Sequence, residues 1–366
     1  MEERKDFRKL LCCIVICFAM FAGFIFIVDP FYHYHKPWFR MPVILDNAVY
    51  QTPGAARNLE YNSAIVGTSM TENMHTSWFD EELGWNTMKL SYSGARSNDL
   101  QAILGQIDSR GESLEHVVMD INDYQLTSVS WTKYVERPEY LYDEYLYNDY
   151  EYLYNHDVYV RSAQRCLDRL EGIRDNVDSA YTWEDADLFG CAIAREANRD
   201  QRRQFLEERS EVVCEAEVYS VTGCVSEDFE DKLKVCQENL DNILPFIEKH
   251  PQTQFYILLP PYSMLYWEQK VLSGTLEDIL GIYEYAMKEF LQYENVTVYY
   301  FQYEPDIISN LDNYRDSTHH KPEYNKYMFE CIKDGHNILT MDNLHEKLEK
   351  MYLYAKEFPY LTLWEE

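Results

Sequence analysis

The residues best suited to chemistry lie in short stretches that are far apart in the chain. Ser69 follows Gly67 in the stretch VGTSMTEN, and Asp316 and His319 lie near the C-terminal end in DSTHH. A serine hydroxyl is a weak nucleophile unless a base takes its proton. A histidine can be that base when an aspartate holds one ring nitrogen and leaves the other free. The three residues therefore predict a Ser-His-Asp triad that attacks esters.

Two other stretches, SYSGARSND (91–99) and DINDY (120–124), carry groups that could stabilise the oxygen anion formed when an ester is attacked. The suitable donors are the backbone N–H groups of Ser69 and Gly94 and the side-chain amide of Asn122. Gly94 has no side chain, so the chain can approach a substrate closely there. These three residues predict an oxyanion hole.

These groups can act together only if the fold brings them to one place. Apolar runs bounded by turn residues predict five β-strands, at 63–67, 87–92, 116–122, 254–260 and 296–301. Helical patterns lie between strands, and a strand-helix-strand crossover requires the strands to be parallel. The chain is therefore predicted to be an α/β protein of three layers, with a parallel sheet of about five strands between helices.

In an open parallel sheet, ligands bind beyond the carboxyl ends of the strands. Every candidate follows a predicted strand, in the order Ser69, Gly94, Asn122, Tyr262 with Ser263, and the loop of Asp316 and His319. We expect Tyr262 and Ser263 to contact the substrate. Ser97 is predicted to cap the helix that follows the second strand, and Pro322 suits the first turn of the helix after His319.

The segment 124–226 interrupts this alternation and is predicted to be an insertion between the third and fourth strands. It contains the tract EYLYDEYLYNDYEYLYNHDVY (139–159) and helical patterns near 158–177 and 194–213. Tyrosine rings can stack on sugar rings while their hydroxyls stay in water. The alternative is that they form the aromatic core of a helical lid.

The N-terminal region predicts a membrane anchor. Residues 10–28 are uncharged and apolar over the length that a helix needs to cross a bilayer. The positive charges of the tail, residues 1–9, favour a cytoplasmic N-terminus. The aromatic-rich segment 29–60 then connects the span to an extracellular domain, residues 61–366, of a single-pass protein. A cleaved signal peptide is the alternative.

Charge and cysteine content exclude several classes of function. The formal charge of −30 and pI near 4.6 argue against a nucleic-acid partner, and against electrostatic binding of the soluble surface to anionic lipid. The six cysteines beyond the span show no C-x-x-C spacing, which predicts no zinc ribbon or redox motif. Cys214 and Cys224 could form a disulfide in an exported protein, or the cysteines could be buried free thiols.

The ordered set of motifs resembles the SGNH/GDSL hydrolase family. VGTSMTEN stands for the block with the nucleophilic serine, SYSGARSND for the block with the oxyanion glycine, DINDY for the G-x-N-D block and DSTHH for the Asp-x-x-His block. The resemblance runs from about residue 61 to residue 328, interrupted by the insertion. It implies a flavodoxin-like sheet and esterase or acyltransferase chemistry that needs no cofactor.

Two positions depart from the family pattern. Thr68 stands where the family has the aspartate of G-D-S, and Asp120 stands where it has the glycine of G-x-N-D. A carboxylate beside an oxyanion hole would oppose the developing negative charge unless it points away or is paired. The position of Asp120 is therefore the main test of the predicted site.

With its single N-terminal anchor, the chain is most similar to the envelope branch of this family, which serves teichoic-acid D-alanylation and exopolysaccharide O-acetylation. The resemblance implies a cell-surface polysaccharide or teichoic-acid-like substrate and a membrane-bound O-acyltransferase partner. The expected function is an exported esterase or O-acyltransferase. The alternatives are an inactive carbohydrate-binding or scaffold protein, and a metal site formed by Asp312, His319 and His320.

Overall fold

The computed structural model describes residues 2–112, 114–128, 130–131, 137–143, 145–208 and 225–365. Within them lies a mixed, mostly parallel sheet whose strands are β1 (Ser63–Val66), β2 (Thr87–Lys89), β3 (His116–Asp120), β4 (Gln254–Leu259), β5 (Val296–Tyr300) and β6 (Ile338–Leu339). The helices are α1 (Glu2–Val28), α2 (Ala48–Asn58), α3 (Ser69–Glu72), α4 (Thr76–Leu83), α5 (Ser97–Asp108), α6 (Asp123–Thr127), α7 (Tyr150–Leu153), α8 (His156–Glu171), α9 (Cys191–Glu208), α10 (Phe229–Leu240), α11 (Leu244–Lys249), α12 (Met264–Ser273), α13 (Leu276–Phe290), α14 (Pro305–Ile308), α15 (Pro322–Asp334) and α16 (Leu344–Glu357). The predicted α/β class is confirmed.

The strands lie in the order β2-β1-β3-β4-β5-β6. The five predicted strands are all present and pair in parallel, with Ile65 opposite Val118 and Asp120 opposite Leu258. The sixth, β6, pairs antiparallel with β5, so the prediction of a parallel sheet of about five strands was wrong in this respect. With only two residues, β6 has too little apolar pattern to be recognised in a sequence.

The strands that follow β1 are added to the sheet on opposite sides of it. From β1 the chain moves to one side to form β2, and then crosses to the other side of β1 to form β3. The loops after β1 and β3 therefore diverge, which opens a crevice at the carboxyl ends of these two strands. Strands β1 and β2 are buried at every position, so both faces of the sheet are covered there.

One hydrophobic cluster holds α15 against the sheet. Residues from four adjacent strands, Ile65, Val118, Leu258 and Tyr299, pack with Phe79 of α4 and with Met328 and Phe329 of α15. Helix α15 begins with Pro322 in its first turn, as predicted. The loop that carries Asp316 and His319 is therefore followed by a helix fixed in the core.

The described residues cluster into two compact units. The first comprises Met1–Glu60, Gly105–Glu112 and Val135–Tyr181, and the second comprises Tyr61–Leu104, Ser113–Tyr134 and Thr182–Glu366. This division differs from the predicted one, because part of the 124–226 segment clusters with the N-terminal region and the rest with the sheet. The buried Asp29 carboxylate shows why, since it accepts hydrogen bonds from the Tyr152 hydroxyl and the Tyr34 N–H, both at 2.7 Å.

The tyrosine-rich tract has both buried and exposed rings. Tyr140, Tyr142 and Tyr152 are buried in the first unit, whereas the tyrosines at 145, 147, 150, 154 and 159 are exposed. The predicted helix near 158–177 is α8, which ends at Gly172 in a left-handed conformation. Helix α9 starts three residues before the helix predicted near 194–213, and the end of that prediction lies outside the described residues. So does the predicted pair Cys214 and Cys224.

Helix α1 contains a stretch, Arg4–Val28, that is long and apolar enough to cross a membrane. Only 11% of its apolar stretch is buried, which distinguishes it from the core helix of a soluble domain.

Helix α5 begins at Ser97 itself, whereas a capping Ser97 would precede the first residue of the helix. The Ser97 hydroxyl instead donates to the Asn239 side chain, so the predicted cap was wrong.

Candidate active site

Gly67 forms the corner between β1 and α3. Its φ of 154° is rarely adopted by other residues. A Cβ atom there would lie 1.9 Å from Asp120 Oδ1 and 2.9 Å from Thr71 Oγ1, so no side chain fits. The chain turns sharply and Ser69 becomes the first residue of α3.

Asp120, the last residue of β3, holds this corner. Its Oδ1 accepts the Thr68 N–H at 2.7 Å, and its Oδ2 accepts the Thr68 hydroxyl at 2.7 Å and the Asn122 amide at 2.5 Å. The two departures from the family pattern, Thr68 and Asp120, therefore contact each other. Burial raises the pKa of Asp120, although the hydrogen bonds from Thr68 and Asn122 oppose that rise. The carboxyl group is paired, as an acidic group near an oxyanion hole needs to be.

Ser69, His319 and Asp316 form a continuous hydrogen-bonded chain. Ser69 Oγ lies 2.7 Å from His319 Nε2, and His319 Nδ1 lies 2.7 Å from Asp316 Oδ2. Asp316 Oδ1 accepts the N–H groups of His319 at 2.8 Å and Thr318 at 2.9 Å, which fixes the carboxylate. The aspartate therefore sets the tautomer in which Nε2 can take a proton from the serine.

The carboxylate of Asp316 stays ionised over a wide pH range. Burial alone would raise its pKa, but the hydrogen bond and positive charge of His319 and the backbone N–H donors lower it to about 2. A negative charge beside Nδ1 stabilises the imidazolium that forms when His319 takes a proton. This arrangement matches what a general base requires.

The base and the nucleophile are also joined through the backbone. Asn325 of α15 is buried, and its amide donates to the Met70 carbonyl of α3 at 2.6 Å. In the loop before α15, Arg315 N–H donates to the His319 carbonyl at 3.0 Å. The distance between Ser69 and His319 is therefore set by contacts on both of their elements.

Donors for an oxyanion lie beside the serine. Ser69, Gly94 and Asn122 all line one cavity of about 500 Å³, and Gly94 has a left-handed φ of 71°. The backbone N–H groups of Ser69 and Gly94 donate to no other residue in the described part of the chain. Both are therefore available to a ligand.

The Asn122 amide is more constrained than its predicted role suggests. Its nitrogen lies within hydrogen-bond distance of Asp120 Oδ2 and, at 3.2 Å, of Thr68 Oγ1, and its oxygen accepts the Tyr262 hydroxyl. These partners orient the amide nitrogen toward Asp120. Asn122 lines the cavity, but its N–H groups must change partner before they can bind an oxyanion.

Of the two residues predicted to contact the substrate, Tyr262 lines the cavity and Ser263 does not. Tyr262 is buried and supports Asn122 through its hydroxyl. Ser263 is fully buried, and both its N–H and its hydroxyl donate to the Ser317 carbonyl, at 3.0 and 2.9 Å. Ser263 therefore ties the end of β4 to the loop that carries His319.

The structure adds two residues to the site, Trp183 and Glu72. The Trp183 ring meets the His319 ring edge-on, with 5.4 Å between centroids, and its Nε1 donates to Glu72 Oε2 at 3.0 Å. Glu72 is buried and also accepts the Ser93 hydroxyl at 3.0 Å. Burial raises the pKa of Glu72, while the Ser93 and Trp183 hydrogen bonds oppose the rise. Glu72 thus joins the tryptophan beside the base to the loop of Gly94.

Two arginines also line the cavity. The Arg96 guanidinium lies 5.7 Å from the centroid of the Tyr124 ring, and that of Arg315 lies 5.5 Å from the Trp183 ring. Neither forms an ion pair with a described residue. In a chain of net charge −30, this leaves two positive groups available to a ligand. All the lining residues belong to the second unit.

The three residues considered as metal ligands have other partners. His319 binds Asp316 and Ser69, His320 is buried with Nδ1 facing the Lys321 carbonyl, and Asp312 accepts the Cys191 N–H. Over the described ranges, no cluster of three histidine, cysteine or acidic side chains could hold a metal ion.

Of these added residues, three lie in or beside the motif stretches: Glu72 is three residues after Ser69, Arg96 is in SYSGARSND and Arg315 directly precedes DSTHH. Trp183 lies in the insertion, where no motif pointed to it.

Comparison with protein-family models and with curated proteins finds no match to this chain.

Proposed function

We propose that the chain is a membrane-anchored serine esterase or O-acyltransferase that acts on acyl esters of a cell-surface polysaccharide. The observation that carries the proposal is the hydrogen-bonded chain from Ser69 through His319 to Asp316, with 2.7 Å at each step. The N–H groups of Ser69 and Gly94, which have no partner among the described residues, support it.

In the first half of the reaction, Ser69 Oγ attacks the acyl carbonyl carbon while His319 Nε2 takes the hydroxyl proton. The negative oxygen of the tetrahedral intermediate accepts the N–H groups of Ser69 and Gly94, and Asp316 stabilises the imidazolium. His319 then gives the proton to the leaving alcohol oxygen as its bond to the acyl carbon breaks. The acyl group remains on Ser69 as an ester.

In the second half, His319 takes a proton from an acceptor hydroxyl as the acceptor oxygen attacks the acyl carbon. His319 then gives this proton to Ser69 Oγ as the bond between Oγ and the acyl carbon breaks, which restores the serine hydroxyl. Water as acceptor gives hydrolysis, and a sugar hydroxyl gives transfer. No cofactor takes part in either half. The access of water to the cavity therefore decides which reaction is observed.

The two arginines favour a substrate with negative charge near the ester. Arg96 and Arg315 each stack on an aromatic ring that also lines the cavity and have no carboxylate partner among the described residues. Guanidinium groups bind phosphate or carboxylate oxygens through two parallel hydrogen bonds. A teichoic-acid-like or acidic polysaccharide offers such groups at regular intervals.

The finer features of the fold and location belong to the same proposal. The order β2-β1-β3-β4-β5 is that of flavodoxin-like sheets, which supports a three-layer arrangement of the SGNH type. The apolar α1 with Arg4, Lys5, Arg8 and Lys9 before its span supports a single-pass anchor with a cytoplasmic N-terminus and an extracellular sheet domain. An anchored enzyme could receive acyl groups from a membrane-bound O-acyltransferase partner.

A fluorophosphonate probe tests the chemistry directly, since it forms a covalent bond only with an activated serine. We expect the full chain to be labelled and Ser69→Ala to remain unlabelled. The matched control is Ser93→Ala, which alters another serine of the cavity and leaves the nucleophile in place. Equal labelling of wild type and Ser69→Ala would refute the assignment.

A second candidate is a scaffold protein that binds polysaccharide and has lost catalysis. The partners of the Asn122 amide, Asp120 and Thr68, favour it, because they occupy a donor of the predicted oxyanion hole. Hydrolysis of p-nitrophenyl acetate by the purified protein, compared with Ser69→Ala, separates the two. Saccharide binding without turnover would support the scaffold.

A further inference from the structure

Helix α8 buries its polar side and exposes its apolar side. Val158, Ser162, Arg165 and Asp168 are buried at helical spacing, and Arg165 forms ion pairs with Asp168 at 2.7 Å and Asp46 at 2.9 Å. The opposite side carries Tyr159, Val160, Leu167 and Leu170, which are 40 to 82% exposed. Their spacing places them in one stripe that covers about a third of the helix circumference.

One end of this apolar stripe already packs on α1. Tyr159 stacks on Phe21, with 4.9 Å between centroids, and meets Phe24 at 5.6 Å. Tyr154, just before α8, contacts Phe18 and Phe21. All of these residues belong to the first unit.

These contacts fix the depth of α8 if α1 spans a bilayer. A helix rises about 1.5 Å per residue, so Phe21 and Phe18 lie roughly 10 and 15 Å from Val28 along α1. The hydrocarbon core is about 30 Å thick. The start of α8 therefore lies below the outer surface of the membrane, where the surroundings of an exposed apolar stripe are acyl chains.

We propose that the stripe formed by Tyr159, Val160, Leu167 and Leu170 is a lipid-contact surface that seats α8 in the outer leaflet beside α1. The proposal rests on the anchor in the proposed function, but not on the chemistry of Ser69. Helices of this kind lie with their apolar face about 5 to 10 Å into the boundary of the acyl chains. The depth deduced from Phe21, roughly 10 Å, lies at the deep end of that range.

Other residues of the first unit support the same position of the outer membrane surface. Trp38 contacts Phe26 near the outer end of α1 with 6.0 Å between centroids, and both Trp38 and Phe39 are exposed. Tryptophan and other aromatic residues favour the membrane interface. Tyr147 and Leu146, a few residues before α8, are also 77 and 80% exposed.

Site-specific photo-crosslinking tests the proposal on the full chain reconstituted in phosphatidylglycerol vesicles. Benzoylphenylalanine replaces Leu170 or Leu167 in the stripe, Ile16 in α1 as the positive control, or Glu196 on the exposed surface of α9 as the negative control. After illumination we expect a mass shift of one phospholipid at positions 170, 167 and 16, and no shift at 196. Circular dichroism checks that each variant is folded.

Each result has one meaning. Lipid adducts at 16 but not at 170 or 167 would overturn the lipid-contact surface and leave the anchor intact. Lack of an adduct at 16 would overturn both. A protein adduct at 170 in native membranes, in place of the lipid adduct, would show that a protein covers the stripe and would also overturn the proposal.

Discussion

Asp120 accepts two hydrogen bonds from Thr68, one from its N–H and one from its hydroxyl, both at 2.7 Å. Thr68 and Asp120 are the two positions at which this chain differs from the SGNH/GDSL pattern that it resembles, and their side chains bind each other.

This pairing predicts that the two positions are energetically coupled. Thr68→Asp alone places two carboxyl groups against each other in a buried site, so we expect destabilisation of about 1 to 3 kcal/mol and loss of probe labelling. Adding Asp120→Gly removes the opposing carboxyl group. The double variant should therefore regain part of the lost stability and part of the lost labelling. Urea unfolding of the four proteins of the cycle gives the coupling energy. Additive effects would contradict the pairing.

The triad predicts a graded loss of acylation. Ser69→Ala should abolish labelling, and His319→Ala should lower its rate by about 10³-fold or more, because His319 is the one base hydrogen-bonded to Ser69 Oγ among the described residues. Asp316→Asn keeps the size of the side chain but loses the charge that stabilises the imidazolium, so a large loss is expected there also. Labelling rates measured against His320→Gln, at the neighbouring buried histidine, provide the control. A normal rate in His319→Ala would exclude His319 as the base.

Acid should destabilise the protein through Asp316. Its pKa is about 2 in the folded protein and about 3.9 in an unfolded chain. Because the folded pKa is the lower one, the unfolded state binds the proton more readily between these values. The resulting stabilisation, about 2 kcal/mol, is complete above pH ~4 and is lost as the pH falls toward ~2.

Denaturant unfolding of wild type and Asp316→Asn at several pH values measures this contribution. We expect wild type to be more stable by about 2 kcal/mol at pH 7 and the two proteins to converge near pH ~2. A constant difference over the whole range would show that the carboxylate charge does not stabilise the fold.

The arginines predict selectivity for charge. Arg96→Gln and Arg315→Gln should each weaken kcat/KM for an ester bearing a phosphate or carboxylate by roughly ten- to a hundredfold, which is what hydrogen bonds to charged groups contribute. Turnover of neutral p-nitrophenyl acetate should change little. Arg199→Gln on the exposed surface of α9 is the matched control. Equal losses on charged and neutral esters would instead indicate a structural role.

The parts of the fold that could be predicted were those with a local pattern. Strands β1, β3 and β4 contain apolar runs because most of their residues are buried, and residues that follow parallel strands meet at one sheet edge. The positions of Ser69, Gly94 and the loop of Asp316 and His319 after their strands therefore predict that they lie together.

The parts that could not be predicted depend on contacts between distant residues. The pairing of Thr68 with Asp120 joins positions 52 residues apart, and Trp183 reaches His319 from a part of the insertion in which no motif marked it. Ser97 carried a local signal for a helix cap, but its contact with Asn239 prevailed. Ser263 follows a strand as expected, but its N–H and hydroxyl donate to the Ser317 carbonyl and not to the cavity.

The hydrogen bond from Asn325 to the Met70 carbonyl joins residues 255 positions apart. Since a chain is made from its N-terminus, the serine is synthesised long before the base and the helix that fixes it. The serine has no partner to activate it until nearly the whole chain has emerged. The Ser69–His319–Asp316 arrangement therefore depends on the C-terminal part of the chain being in place.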